Sequence, residues 1–136
     1  MARLAIIFTA LVVLIASSAQ PGDKPKDTPV TLEQKLHGQW EGGPCIGELT
    51  LRADGTFERK FYSPGGNKLT GTWAVRWNAL PPTLSLTCQV SDEPSFIGKT
   101  SEFKLIELDA GTLVYERPKT PGKSVRYERM GRDAKP

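Results

Sequence analysis

The amino-acid sequence predicts an all-β fold: an eight-stranded antiparallel up-and-down barrel with a short N-terminal helix. Three observations carry this expectation. After Gly38, short runs of β-branched, aromatic and aliphatic residues alternate with polar ones at a period of two, which gives each run one apolar and one wet face. Turn residues separate the runs, most clearly at Asp54-Gly55 and Asp109-Ala110-Gly111. No connection is long enough for a crossover helix, so neighbouring strands must be antiparallel. A meander with one apolar face can close on itself and so lose its edges. A sandwich of two sheets is the competing arrangement, and the near-even hairpin spacing favours closure.

The elements follow in order. Thr31 and Gln34 fit a capping box, and Leu32 and Leu36 are spaced to share a helix face, so one or two helical turns run from Thr31 to His37 and stop at Gly38. The first strand is 38–42. The second is 46–52, with Leu49 and Leu51 on one face and Glu48, Thr50 and Arg52 on the other. The third is 56–62, where Phe57 and Phe61 share a parity with Arg59. A Gly65-Gly66 loop leads to the fourth, 69–77, with Gly71, Trp73, Val75 and Trp77 on one face. The fifth, 83–90, alternates Leu84, Leu86, Cys88 and Val90. After the longest loop come the sixth, 100–108, the seventh, 112–117, and the eighth, 124–130.

The N-terminal part has a different character. Arg3 is the only charge before Asp23, residues 4–15 are almost wholly apolar, and Ser17 and Ala19 supply small residues at a cleavage site. Residues 1–19 therefore read as a signal peptide. The alternative is an uncleaved anchor, but the apolar run is about a dozen residues against the roughly 20 of a spanning helix. No membrane span is then expected after cleavage. Residues 20–30 hold three prolines and read as a disordered linker; 31–130 form the barrel domain and 131–136 a polar tail. The formal net charge of +3 is small, which argues against a nucleic-acid partner. Cys45 and Cys88 both follow the signal segment, and in an oxidising compartment an even pair reads first as a disulfide. Barrel topology places both at the same rim, and the bridge is worth roughly 4 kcal/mol in the chain-entropy model. Two unpaired buried thiols are the other reading.

Gly38-Gln39-Trp40 follows the helix and opens the first strand, and Arg129 ends the last one. This resembles the lipocalin and wider calycin pattern, in which a Gly-x-Trp packs beneath an arginine and closes the barrel base. The run LHGQWEGG…LTLRADGTFER…LTGTWAV resembles the lipocalin-like domains of exported bacterial proteins and covers residues 32–130. The resemblance implies a structural contact between Trp40 and Arg129. The connection at 43–45 is far shorter than the large first loop of true lipocalins, which argues against a deep pocket. Avidins share the start but not the biotin-contacting pattern. A looser resemblance is to small bacterial barrel inhibitors of metalloproteases.

Chemistry-bearing motifs are scarce. His37 sits at the helix end with no companion ligands, and no nucleophile elbow, P-loop or dinucleotide fingerprint occurs, so no enzyme activity, metal or cofactor is expected. Glu102 and Glu107 are an odd number apart, which puts them on opposite faces of a regular strand. Arg59 breaks the pattern: its parity turns it inward with Phe57 and Phe61, where it needs either an internal partner or an anionic ligand. Tyr115 and Tyr127 line the same lumen in that reading, and Trp73 is either core or a stacking wall. Strand directions put Gly65-Gly66, Phe96 and residues 118–123 at the mouth, ringed by Lys68, Lys99, Lys119 and Lys123 against Asp92 and Glu93.

The sequence thus points to an exported, periplasmic or secreted, barrel that binds a small apolar or amphipathic molecule through Arg59, Trp73, Phe96, Tyr115 and Tyr127. Protein–protein recognition, such as protease inhibition, and a packed domain without ligand are the alternatives. N-terminal sequencing of the exported protein is expected to begin at Gln20; Met1 in that fraction would overturn the cleavage assignment.

Overall fold

The computed structural model describes residues 31–43, 46–62 and 64–131. The expected signal peptide, the linker, Cys45 and the tail beyond Gly131 lie outside the described residues. Helix α1 (Leu32–Leu36) is capped as the sequence requires: Thr31 Oγ1 accepts from the Gln34 amide at 3.3 Å, and Gln34 Oε1 accepts from the Thr31 amide at 3.0 Å. Leu36 is fully buried, but Leu32 is exposed, so the helix packs through one leucine and not two. No helix among the described residues is long and apolar enough to cross a membrane.

Eight strands follow: β1 (Gly38–Gly42), β2 (Gly47–Leu51), β3 (Thr56–Phe61), β4 (Lys68–Arg76), β5 (Thr83–Ser91), β6 (Thr100–Leu108), β7 (Thr112–Glu116) and β8 (Ser124–Arg129). Each pairs antiparallel with the next, and β8 returns to β1, so the sheet is a closed barrel and not a sandwich. Carboxylates fix two of the basal turns. Asp54 accepts from the Thr56 hydroxyl at 2.6 Å and the Thr56 amide at 2.9 Å, and Asp109 accepts from the Gly111 and Thr112 amides at 2.7 Å each. Those hydrogen bonds hold both carboxyls below the usual carboxylate range.

Inward-facing side chains fill the lower lumen. Trp40, Leu49, Leu51, Leu84 and Leu113 are buried there almost completely. Two bulges correct the simple alternation. Between Thr70 and Gly71 the β4–β5 register slips: Thr70 faces Val90 and Gly71 faces Cys88, which leaves Gln89 as the extra residue. A Cβ at Gly71 would run into the Thr87 carbonyl oxygen, so this close approach requires glycine. Cys88 stays inside, and Val90, expected inside as well, turns out and is 64% exposed. In β6 the extra residue is Ile106, also exposed. The parity change places Glu102 and Glu107 both at the surface instead of on opposite faces, and Glu102 pairs with Arg76 at 3.1 Å.

The Cys45 half of the expected bridge to Cys88 lies outside the described residues, among which no disulfide occurs. Cys88 is a free buried thiol whose Sγ lies 3.4 Å from the Val90 carbonyl oxygen, which it faces as donor.

The base is closed by one clamp. Trp40 and Arg129 are directly opposed on β1 and β8, and the guanidinium carbon lies 4.2 Å from the indole centroid. Trp40 Nε1 donates to the Leu36 carbonyl at 2.9 Å. Arg129 donates to the carbonyls of Lys35, His37 and Ala110, the last two at 2.6 Å. The bonds to Lys35, Leu36 and His37 satisfy carbonyls that a short helix leaves open at its C-terminus, and the bond to Ala110 ties in the β6–β7 turn. Gly38, at φ +133°, leaves room for the guanidinium that a Cβ would block. Replacing Trp40 by Ala is expected to cost about 3–5 kcal/mol, and Arg129→Lys about 1–3 kcal/mol because the fork of donors is lost. Urea unfolding measures both, and losses below about 0.5 kcal/mol, the range of ordinary surface changes, would show that the clamp does not hold the base.

Candidate functional site

The upper lumen is built differently from the lower. Arg59 sits on β3 between Phe57 and Phe61, opposed by Leu49 on β2 and Leu69 on β4. Its parity points it into the barrel, and its side chain crosses to the far wall. There Nη2 donates to the Tyr127 hydroxyl at 2.8 Å and to the Tyr115 hydroxyl at 3.1 Å. Those hydroxyls lie 3.2 Å apart, and the two rings stack with centroids 5.6 Å apart. Tyr115 also packs on Phe103, ring centroids 4.5 Å apart, and the Arg59 guanidinium lies 4.8 Å from the Phe61 centroid. Both tyrosines are almost wholly buried, and Arg59 is half-buried above them.

Burial disfavours the Arg59 cation, but the two phenols outweigh it, and its pKa is held above the ordinary arginine value. Arg59 is therefore a permanent positive charge in the barrel. Burial pushes the Tyr115 phenol up, against the opposing pull of Arg59, so its hydroxyl stays protonated. Among the described residues no carboxylate pairs with Arg59; the partners expected for a buried arginine are here two neutral hydroxyls.

Above this network the barrel opens. A small hollow of about 70 Å³ lies among Phe57, Arg59, Leu86, Cys88 and Ser101. Beside it, and sharing Arg59, Phe61 and Phe96 with it, is a mouth cleft of about 550 Å³. Phe103, Arg117, Lys119 and Glu102 also line the cleft, the last of them paired with Arg76 at 3.1 Å, and Ser101 contributes to both spaces. The walls are thus aromatic, and the charges at the floor and rim are mostly positive.

The expected site residues fall into three groups. Arg59 and Phe96 line the cleft. Tyr115 and Tyr127 lie beneath it and hold Arg59. Trp73 does not belong: its Nε1 donates to the Arg52 carbonyl at 2.9 Å near the basal turn, and its ring meets the His37 edge at 5.7 Å. It is a base residue because β4 runs downward and Trp73 lies five residues below its upper end. Lys68 also leaves the proposed ring of mouth cations, since it is paired with Glu58 at 3.1 Å. Asp92 and Glu93 serve the loops, accepting from the Lys68 amide and the Asn67 side chain. The cleft residues Phe61, Phe103, Ser101 and Arg117 were not among the expected site residues. The parity of Phe61 with Arg59, and of Ser101 with Phe103, was the available signal.

No protein-family model matches this chain, and no curated protein sequence matches it. What the structure defines is a closed eight-stranded antiparallel barrel, mostly strand, with one short helix before the first strand.

The raised Tyr115 pKa gives the fold an alkaline dependence. The unfolded phenol ionises near its ordinary value of about 10, whereas the folded one resists. The Tyr115 contribution is therefore full below about pH 10 and is lost as pH rises beyond it. The urea midpoint should fall between pH 9 and pH 11 by more in the parent than in Tyr115→Phe; equal falls would show that Tyr115 titrates freely when folded.

Proposed function

We propose that this chain is an exported, lipocalin-like barrel that binds a small amphipathic molecule at its mouth without transforming it. The observation that carries the proposal is the division of the lumen. Large apolar side chains fill the lower half, while aromatic side chains at the top border open space next to a fixed cation. The mouth cleft, at about 550 Å³, falls within the size range of small-molecule sites. Phe61, Phe96 and Phe103 supply apolar walls for a ligand body, and Arg59 at the floor supplies polar contacts for one end. Binding rather than catalysis is supported by the side chains at hand. Burial pushes the Cys88 thiol up and keeps it a poor nucleophile, and His37 lies at the opposite end of the barrel.

A second reading, protein recognition at the same rim, is favoured by the exposure of Ile46, Tyr62, Val90, Phe96 and Ile97. Native mass spectrometry of the exported protein separates the two. The small-molecule reading expects a co-purified mass of a few hundred daltons that is diminished in Phe103→Ala. A bare protein mass in repeated preparations, with no uptake of an uncharged lipophilic dye such as Nile red, would overturn it in favour of the second.

A further inference from the structure

Resting on the mouth-binding reading, we infer that the ligand is a carboxylate-bearing amphiphile that enters head-first and seats its carboxylate on Arg59. The first support is the set of groups that Arg59 meets. A cation taken partly out of water is costly unless opposed, yet the groups Arg59 meets among the described residues are two neutral phenols and an aromatic ring. The second is a surplus of donors. A guanidinium carries five N–H groups, and the phenols take the two on Nη2, which leaves three. Each phenol has one proton, and their mutual contact uses only one of the two. Among the described residues the cluster therefore offers several donors with no side-chain or backbone acceptor and little acceptor capacity, which is the complement of a carboxylate.

The third support is polarity along the barrel axis. The floor of the cleft is the cation, and its walls are Phe61, Phe96 and Phe103. A ligand with its anionic group at the floor can lay its apolar body against all three rings, whereas the reverse orientation would press hydrocarbon onto Arg59 and its hydroxyls. Arg117 and Lys119 at the rim outnumber Glu102, the one carboxylate lining the cleft, which is already paired with Arg76, so the rim draws anions toward the entrance. The hollow beside Arg59, about 70 Å³, admits a head group and excludes a bulky apolar body, which fixes how deep the ligand goes.

Calorimetric titration of the full-length protein with decanoate and with decanol tests this. Decanoate is expected to bind at least about tenfold more tightly than decanol, a gap of about 1.4 kcal/mol. Arg59→Gln is expected to bring the ratio of the two dissociation constants close to one. Should that variant fail to fold, the Arg59 Nε–H resonance of the parent serves instead, shifting with decanoate and not with decanol. Equal affinities in the parent, a preference retained in Arg59→Gln, or an Nε–H signal indifferent to decanoate would each overturn the carboxylate assignment while leaving mouth binding intact. Binding of neither molecule would overturn the mouth-binding reading itself.

Discussion

Closure at the base is the constraint on which the rest of the barrel depends. β1 and β8 are the two ends of the meander, and only their pairing removes the edges an open sheet would expose. That pairing is short, three opposed residues, and its lowest pair is Trp40 with Arg129. The same two side chains bind the carbonyls of α1, so helix, first strand and last strand are tied at one point. A cation–π contact and several charge-assisted hydrogen bonds concentrated there compensate for a seam with few ladder bonds. The helix cannot stand alone at five residues; it persists because Leu36 plugs the base and Arg129 satisfies its end.

With the base sealed, the lumen can afford a polar top. Trp40, Leu51, Leu84 and Leu113 supply much of the apolar burial, and none of them is paired with Arg59 in the sheet. A hydrophobic residue in place of Arg59 would often be neutral or stabilising in such a setting, because the cation must be desolvated. Its presence, held by two tyrosines from the opposite wall, runs against stability alone. This is the pattern of a site that spends some fold stability on a prepared charge.

Much of this was legible in the sequence because two-residue periodicity and turn chemistry are local. Asp54-Gly55 and Asp109 to Gly111 mark their hairpins by side-chain geometry that depends on nothing distant. The inward direction of Arg59 followed from its parity with Phe57 and Phe61. What parity could not show was where the period breaks. The bulge opposite Gly71 sends Val90 out, and the extra residue at Ile106 brings Glu107 to the same side as Glu102. Gly71 was a visible cue, since glycine inside a strand often marks a close approach; Ile106 left none. Height along the barrel was the second limit. Trp73 shares a face with the lumen residues, but a face does not tell base from mouth until register is known.

The placement of the mouth residues on different kinds of element has its own consequence. Arg59, Tyr115, Tyr127 and Phe103 all belong to strands; ladders fix the first three from both sides and Phe103 through β5. Phe96 belongs to a short 3₁₀ turn (Pro94–Phe96), and Lys119 to the β7–β8 connection. The Pro94–Phe96 turn is anchored to β5, because the Gly98 amide donates to the Cys88 carbonyl at 2.8 Å and the Cys88 amide to the Lys99 carbonyl at 3.0 Å. The bulge at Gln89 lies at this junction, so one irregularity both turns Val90 outward and begins the segment that carries Phe96 to the cleft. The fixed charge thus rests on the rigid wall, while much of the apolar contour rests on loops, which tolerate change with little cost to the barrel. On the proposed reading, the strand-held Arg59 would set the charge a ligand must carry, and the connections above it would set the size and shape of its apolar part.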